Sequence, residues 1–437
     1  MEITQEIFHN NLLSLKSANP QLATKVKGCN QTKIDFKIVK GRSNTISVSG
    51  LQLSSRHNPE EEADLQESSI ADLKEIYLYG TGLGYLPESL LKRTRLSKLN
   101  IKVLNLPLFS LILSLRDQRV WISDERVNIS LASSDDDVQI PYFSLHQDVF
   151  LADQQSQNIK NILYTNNCDS FYKKQFKLNE PSLSKRVQDN YLYIEKDKGI
   201  EHLNDLAENQ ESIVVGAGPS LEPNLIKIQA LYLKKNRPLI VSVCTATKLL
   251  VQNGIIPDYV VVVDKDVSIS HPLIADFSIL NETKLIYSPV VQSDLLAAWC
   301  GPRYVTYSNS TLFDKVKQIF PRGSLFSGGS VIHTAVDLVR ILGCKVITLF
   351  GVDFAYTCNQ THAGHHGRAL INYENIVPAN QANRWIKDGN GNDIPTHDSY
   401  ISYLVELEKY IKHHRDIRFF NSSKIGAFIR GCNLIED

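Results

Sequence analysis

The feature that most constrains this chain is a series of short, fully apolar segments, each followed by a turn and then a helical pattern. Ser212-Ile213-Val214-Val215 opens the series and runs into Gly216-Ala217-Gly218-Pro219-Ser220, after which a helical pattern extends to about Leu233. Residues 238–243, 258–263, 284–288, 303–307 and 345–350 repeat the strand pattern. Helices are expected over 245–252 and 325–342, the latter closed by Gly343. Segments this short with no polar alternation are strands buried on both faces, and strands alternating with helices predict a mostly parallel sheet covered on both sides.

A second strand–turn–helix pattern lies earlier. A strand over 75–79 meets Gly80-Thr81-Gly82-Leu83-Gly84, followed by a helix over 88–95 and a strand over 100–106. The spacing is Gly-x-Gly-x-Gly, and Asn105 stands where a dinucleotide fold places an acid, so the turn is expected to be structural. The whole is α/β, with two Rossmann-like units of mostly parallel sheet and a largely helical C-terminal region. The expected organisation is 1–157 (the first α/β unit, from about Lys74), 158–210 (a polar helical connector) and 211–355 (the central nucleotide-binding domain). The last region, 356–437, holds a loop, a helix over 399–413 and a strand over 417–421 that completes the central domain. Residues 57–69, with three consecutive glutamates, read as a solvated loop.

Composition narrows the function classes. Lys+Arg and Asp+Glu both number 47, giving zero formal net charge, which argues against a nucleic-acid partner that needs a basic surface. No apolar run reaches the length of a membrane helix and the N-terminus has no basic start, so a cytoplasmic chain without membrane insertion is expected. Seven scattered cysteines with no C-x-x-C pair give no zinc or dithiol pattern.

The candidate chemistry gathers at the turns. Gly216 and Gly218 let the backbone approach a phosphate, Pro219 and Ser220 lead into the helix, and Ser220 is a natural N-cap at a helix start that favours anions. Ser327, Gly328, Gly329 and Ser330 open another helix in the same way. That helix buries Val331, Ile332, Ala335, Val336, Leu338 and Val339, leaving His333, Asp337 and Arg340 on a stripe expected in solvent. Asp264 and Asp266 follow a strand, where open α/β sheets hold ligands; a ribose contact, Mg²⁺ ligation and loop solvation all remain open for them. Asp353 ends the 345–350 strand and Tyr356 follows it. His362, His365 and His366 cluster beyond, without a carboxylate or cysteine to complete a metal set. His397 precedes the late helix as a separate candidate base.

Taken in order, these motifs resemble the Maf (motility accessory factor) family. The resemblance rests on Gly216-Ala217-Gly218-Pro219-Ser220-Leu221, Val262-Val263-Asp264, Ser327-Gly328-Gly329-Ser330-Val331, Leu342-Gly343-Cys344 and Phe350-Gly351-Val352-Asp353. Thr361-His362-Ala363-Gly364 and the stretch from Asn421 to Gly431 complete it, and it spans most of the chain from about Lys74. It implies a glycosyltransferase that moves a nonulosonic acid (pseudaminic, legionaminic or a related sialic-like sugar) from its CMP form to Ser/Thr of flagellin or another protein acceptor, with no cofactor required. The central domain is also similar to bacterial sialyltransferases, in which a Gly-x-Gly-Pro-Ser-Leu turn binds CMP, a histidine before a late helix is the base and tyrosines assist phosphate departure. His397 and Tyr356 are the nearest counterparts by position, His362 competes for the role of base, and Asp353 joins them as a catalytic candidate. The final Asn421-Ser422-Ser423-Lys424-Ile425-Gly426 departs mildly from the family's Asn-x-Thr-x-Gly-Gly. The same domain resembles archaeal 6-hydroxymethylpterin pyrophosphokinases, which would instead require ATP and Mg²⁺, with Asp264 and Asp266 as ligands. A non-catalytic nucleotide-binding motility factor is the third reading.

Overall fold

The computed structural model describes residues 3–29, 34–133, 136–271, 274–364 and 384–435. The chain divides into two units, Met1–Asp169 and Ser170–Asp437. In the first, helices Gln5–Ala18 and Pro20–Lys27 precede an antiparallel meander of β1 (Phe36–Val39), β2 (Thr45–Val48) and β3 (Leu51–Gln52). Then come β4 (Glu75–Tyr79), β5 (Lys98–Val103), β6 (Val127–Leu131) and β7 (Tyr142–Ser144). They form a sheet in the order β6-β5-β4-β7 with every pairing parallel. Its core gathers Ile76, Leu78, Leu99, Ile101, Phe109 and Trp121.

Two expectations for this unit change. The acidic stretch is not a loop: Pro59–Ser68 is a helix, with Asn58 accepting the Glu61 N–H, Pro59 in the first turn and three glutamates there. Each of these is a helix-start signal, and the acids sit at the positive end of the helix dipole. The helix after the glycine turn is Tyr85–Leu90, beginning three residues early because Gly84, at φ +91°, ends the turn itself.

The expected connector is mostly one helix, Gln157–Asp189, which crosses the boundary between the units; in the second unit helix Tyr191–Lys196 and the two-residue strand β8 (Lys198–Gly199) follow it. The predicted strands appear as β9 (Glu211–Val215), β10 (Leu239–Val243), β11 (Tyr259–Val262), β12 (Lys284–Tyr287), β13 (Arg303–Val305) and β14 (Val346–Phe350). A hairpin of β15 (Arg384–Lys387) and β16 (Asp393–Thr396) precedes helix Asp398–His413, β17 (Arg418–Asn421) and β18 (Asn433–Leu434). Nine of these strands make one all-parallel sheet, ordered β18-β17-β14-β9-β10-β11-β12-β13-β8. Every residue of β10 and β11 is buried, as an uninterrupted apolar strand requires when helices cover both faces. The sheet is Rossmann-like: β9 to β13 step outward in one direction, and β14 returns to the other side of β9.

The helix expected from residue 325 begins at Val331 and ends at Ile341, and Gly343 follows with φ +91°. Two of the three residues of its polar stripe are not in solvent, while Arg340 is half-exposed. His333 and Asp337 are buried because helix Asp398–His413 lies over them: Tyr410 Oη donates to Asp337 Oδ1 at 2.6 Å, and His333 bonds the Tyr403 carbonyl. A polar stripe can be buried when its groups find hydrogen-bond partners on a second helix.

Candidate functional site

A cavity of about 630 Å³ opens beyond the carboxyl ends of the central strands. Thr245 reaches it after β10, Asp264 and Lys265 after β11, Ser288 after β12, and Ser308 and Ser310 after β13. Ser327, Gly329, Ser330, His362, Tyr400 and Tyr403 complete it from other segments, and Val261, Val262 and Val290 give it an apolar floor. In a parallel sheet each strand's first residues beyond its end turn toward the same crevice, so polar side chains far apart in sequence converge there.

The 216–220 turn does not line this cavity. Three of its amides serve the chain itself. Gly216 N–H donates to the Phe350 carbonyl and Gly218 N–H to the Gly351 carbonyl, each at 2.8 Å. Ser220 N–H donates to Asp353 Oδ2 at 2.8 Å and its hydroxyl to Asp353 Oδ1. Ser220 makes no side-chain cap to the Leu221–Tyr232 helix. The glycines are needed for this closeness: a Cβ on Gly218 would lie 2.7 Å from the Asp353 carboxyl carbon and the Gly351 oxygen. Ile332, in the first turn of the other helix, would meet a Cβ on Gly216 at 3.0 Å, so the two bends are neighbours with an apolar side chain packed between them.

Asp353 is 3% exposed. Burial raises its pKa while the bonds from Ser220 and Thr357 oppose the rise. Both oxygens hold backbone or side-chain donors of the chain, so its task in this structure is to clamp the turn to the end of β14, and it does not reach the cavity lining.

The 327–330 bend does face the cavity. Ser330 caps helix Val331–Ile341, its hydroxyl oxygen accepting the Ile332 N–H at 3.3 Å, and His333 Nδ1 accepts the Ser330 N–H at 3.2 Å. Ser327, Gly329 and Ser330 all line the space; Gly328 is backed by His333 and Glu406.

Of the candidate bases, His362 is on the cavity wall. Its loop is tied to the glycine turn, Ala363 N–H donating to the Ala217 carbonyl at 2.9 Å and Gly364 N–H to Glu222 Oε1. His365 and His366 lie outside the described residues. His397 is the N-cap of helix Asp398–His413, its Nδ1 accepting the Tyr400 N–H at 3.3 Å and its ring stacked on Tyr400 with centroids 3.9 Å apart. Burial lowers its pKa, against Asp398 nearby. A neutral imidazole whose Nδ1 lone pair accepts that N–H carries its proton on Nε2, so His397 has no lone pair to offer a substrate while it caps the helix. Tyr356 is buried behind it, ring centroids 5.7 Å apart, with its pKa raised by burial. Neither His397 nor Tyr356 lines the cavity. Asp264 lies on the exposed rim, its Oδ1 accepting the Asp266 N–H at 2.8 Å, while Asp266 pairs with Lys265 at 2.7 Å and is not part of the lining. Among the described residues no group of three or more His, Cys, Asp or Glu is placed to hold a metal ion.

Tyr400 and Tyr403, one turn apart on a helix, and the serines after β12 and β13 escaped the sequence reading. The available signal was positional: the first hydroxyl residues after each apolar strand. Serines are too common in loops for that signal to stand out by composition.

The fold and cavity define a doubly wound α/β unit with its pocket at the strand ends. Residues 185–359 match the family model described as 6-hydroxymethylpterin diphosphokinase MptE-like. Among solved structures, a Maf glycosyltransferase from Magnetospirillum magneticum is similar at 16% identity and a TM-score of 0.44, the match covering 99% of this chain and 74% of that one. No curated protein matches. Among the described residues no helix is long and apolar enough to cross a membrane.

Proposed function

We propose that this chain is a glycosyltransferase that moves a nonulosonic, sialic-like acid from a CMP-activated donor to a serine or threonine of a protein acceptor such as flagellin. The ordered motif set supports the reading, and the observation that carries it is the cavity, with hydroxyl groups from three strand ends, those of β10, β12 and β13, facing a helix start and a histidine. Hydroxyls and the amides of a helix start suit a phosphorylated, polyhydroxylated ligand. The donor phosphate lies at the 327–330 bend, at the positive end of helix Val331–Ile341, and the sugar extends toward His362. The bond from the anomeric carbon to the phosphate oxygen breaks, and CMP leaves with the electron pair. The acceptor oxygen bonds to the anomeric carbon, and its proton passes to His362. His362 is preferred to His397 because only His362 lines the cavity.

A second reading is favoured by the family match over residues 185–359: transfer of a diphosphate from ATP to a pterin, with Mg²⁺ at Asp264 and Asp266. A thermal-shift panel of CMP, CTP, ATP, GTP and pterin, with and without Mg²⁺, separates the two. Stabilisation by CMP alone, with a loss of transfer from a CMP-sugar of about a hundredfold or more in H362N, is expected. A strict requirement for ATP with Mg²⁺ rejects sugar transfer.

A further inference from the structure

His333 was expected in solvent and is instead fully buried, at 0% exposure, between two segments that both line the cavity. Its Nδ1 accepts the Ser330 N–H at 3.2 Å, and on the opposite side of the ring Nε2 lies 2.9 Å from the Tyr403 carbonyl oxygen. Nδ1 also lies 3.1 Å from the Ser330 carbonyl oxygen; the Tyr403 carbonyl can only accept, so Nε2 carries the hydrogen, and in the neutral ring Nδ1 is then the acceptor of the Ser330 N–H. Burial lowers the ring's pKa, consistent with one neutral tautomer. A glutamate or glutamine at this third position of a helix closes a capping box with its own N-cap. An imidazole does the same and still has a donor pointing away, which here reaches a different helix.

The surroundings are cut to fit the ring. A Cβ on Gly328 would fall 3.0 Å from His333 Nδ1, and one on Gly329 would fall 2.7 Å from Tyr403 Cε1. Phe326 and Tyr403 stand edge-on to the imidazole, with centroids 5.7 and 6.3 Å away. His333 itself does not line the cavity.

We propose that His333 is a positioning residue that holds the 327–330 bend and the Tyr400–Tyr403 wall at a fixed spacing, so that the cavity is pre-shaped for the phosphate end of its ligand. The proposal rests on the reading of the cavity as a CMP-sugar site, and it separates two functions that a buried histidine could serve. A ring that only fills space is replaceable by leucine. A ring that bridges is replaceable by glutamine, whose carbonyl accepts from Ser330 and whose amide donates to Tyr403.

The test compares the full-length wild type with H333L and H333Q. It uses hydrogen exchange at the Ser330 amide by NMR and CMP binding by calorimetry. In H333L the amide is expected to exchange at least tenfold faster and CMP to bind about tenfold more weakly, the scale of one lost hydrogen bond. In H333Q both stay within about threefold of wild type. An H333L protein with a protected Ser330 amide, or with wild-type CMP affinity despite a loosened amide, overturns the proposal. If CMP binds neither wild type nor variants, the sugar-transfer reading fails by itself, and Ser330 exchange together with ring contacts from residue 333 to Tyr403 still decides whether the bridge exists. Should H333L not fold, nitrogen-15 NMR of the wild-type ring decides: a proton on Nδ1 instead of Nε2 removes the bridge.

Discussion

In the first unit, the turn after β4 donates the Thr81 and Gly82 amides to Asp148, at 2.8 Å and 3.2 Å. In the second, the turn after β9 donates the Ser220 amide and hydroxyl to Asp353. Each carboxylate follows the strand that lies across the reversal of strand order, β7 in one case and β14 in the other. That is where doubly wound sheets hold their ligands. In both units a side chain of the protein provides the anion that the turn's amides call for. Gly80, at φ +98°, has room only for hydrogen, since a Cβ there would sit 2.4 Å from that of Asp148. A glycine-rich bend therefore reports a close backbone approach and says nothing about what is approached. The difference between the units lies beyond the turns: the second carries a hydroxyl-lined cavity over β10 to β13, which its own glycine bend adjoins but does not line.

The largest expected effect breaks the second clamp. D353A leaves the buried Ser220 amide and hydroxyl without their acceptor, and the second unit should lose about 3 kcal/mol or more. Hydrogen exchange of peptides spanning 209–235 should rise with it. If both the stability and that exchange match wild type, the turn is not held by Asp353 and the parallel between the units fails.

The first clamp offers a pH signature. Burial lifts the Asp148 pKa from 3.8 to about 6 despite bonds from Thr81 and Gly82. An acid that holds its proton more tightly when folded contributes stability that is complete below about pH 4 and lost as the pH rises through 6. At about 1.4 kcal/mol per pH unit the contribution is about 3 kcal/mol. Urea titrations of the first unit's transition at pH 4.5 and 7 should show about 2 kcal/mol of this fall in the wild type and a flatter response in D148N, which cannot ionise. Equal slopes would mean that Asp148 is not desolvated as the structure has it.

A smaller effect is expected at His397. Asparagine is as good a helix cap as any residue, so H397N should keep the Asp398–His413 helix and hold sugar transfer within about threefold of wild type. H397L, without a cap acceptor, should cost about 1 kcal/mol. A loss of transfer in H397N as large as that in H362N would return the base to His397.

Strand identity was the most legible part of the sequence, because a strand buried on both faces must be apolar throughout: residues 345–350 differ from β14 by one residue, and 212–215 from β9 likewise. Helix starts were less so. The 59–68 helix hid behind its glutamates, which read as a solvated run although they are good first-turn residues. His333 and Asp337 were misread because the stripe of a single helix cannot show that a second helix, sixty residues on, carries tyrosines to receive them. The cavity was legible as a place, the strand ends, but not as a set of residues. Convergence of Ser288, Ser308, Tyr400 and Tyr403 depends on sheet order, which the sequence does not state.

The smallest effect is the most discriminating, because it sets the two helix starts of the second unit against each other. Ser220 and Ser330 look alike in sequence, each ending a glycine-rich bend before an apolar helix. In the structure Ser220 spends its hydroxyl on Asp353, whereas Ser330 faces the cavity. S220A should therefore lower stability by about 1 kcal/mol, one buried hydrogen bond, and leave CMP affinity within about twofold. S330A removes a hydroxyl that accepts the Ile332 N–H, so its stability cost is similar, but its CMP affinity should fall about fivefold to tenfold. Calorimetry on the two variants, each compared at matched folded fraction, decides between the bends. The reverse ranking would put the phosphate at Ser220, and the carboxylate of Asp353 would then have to move aside for the ligand.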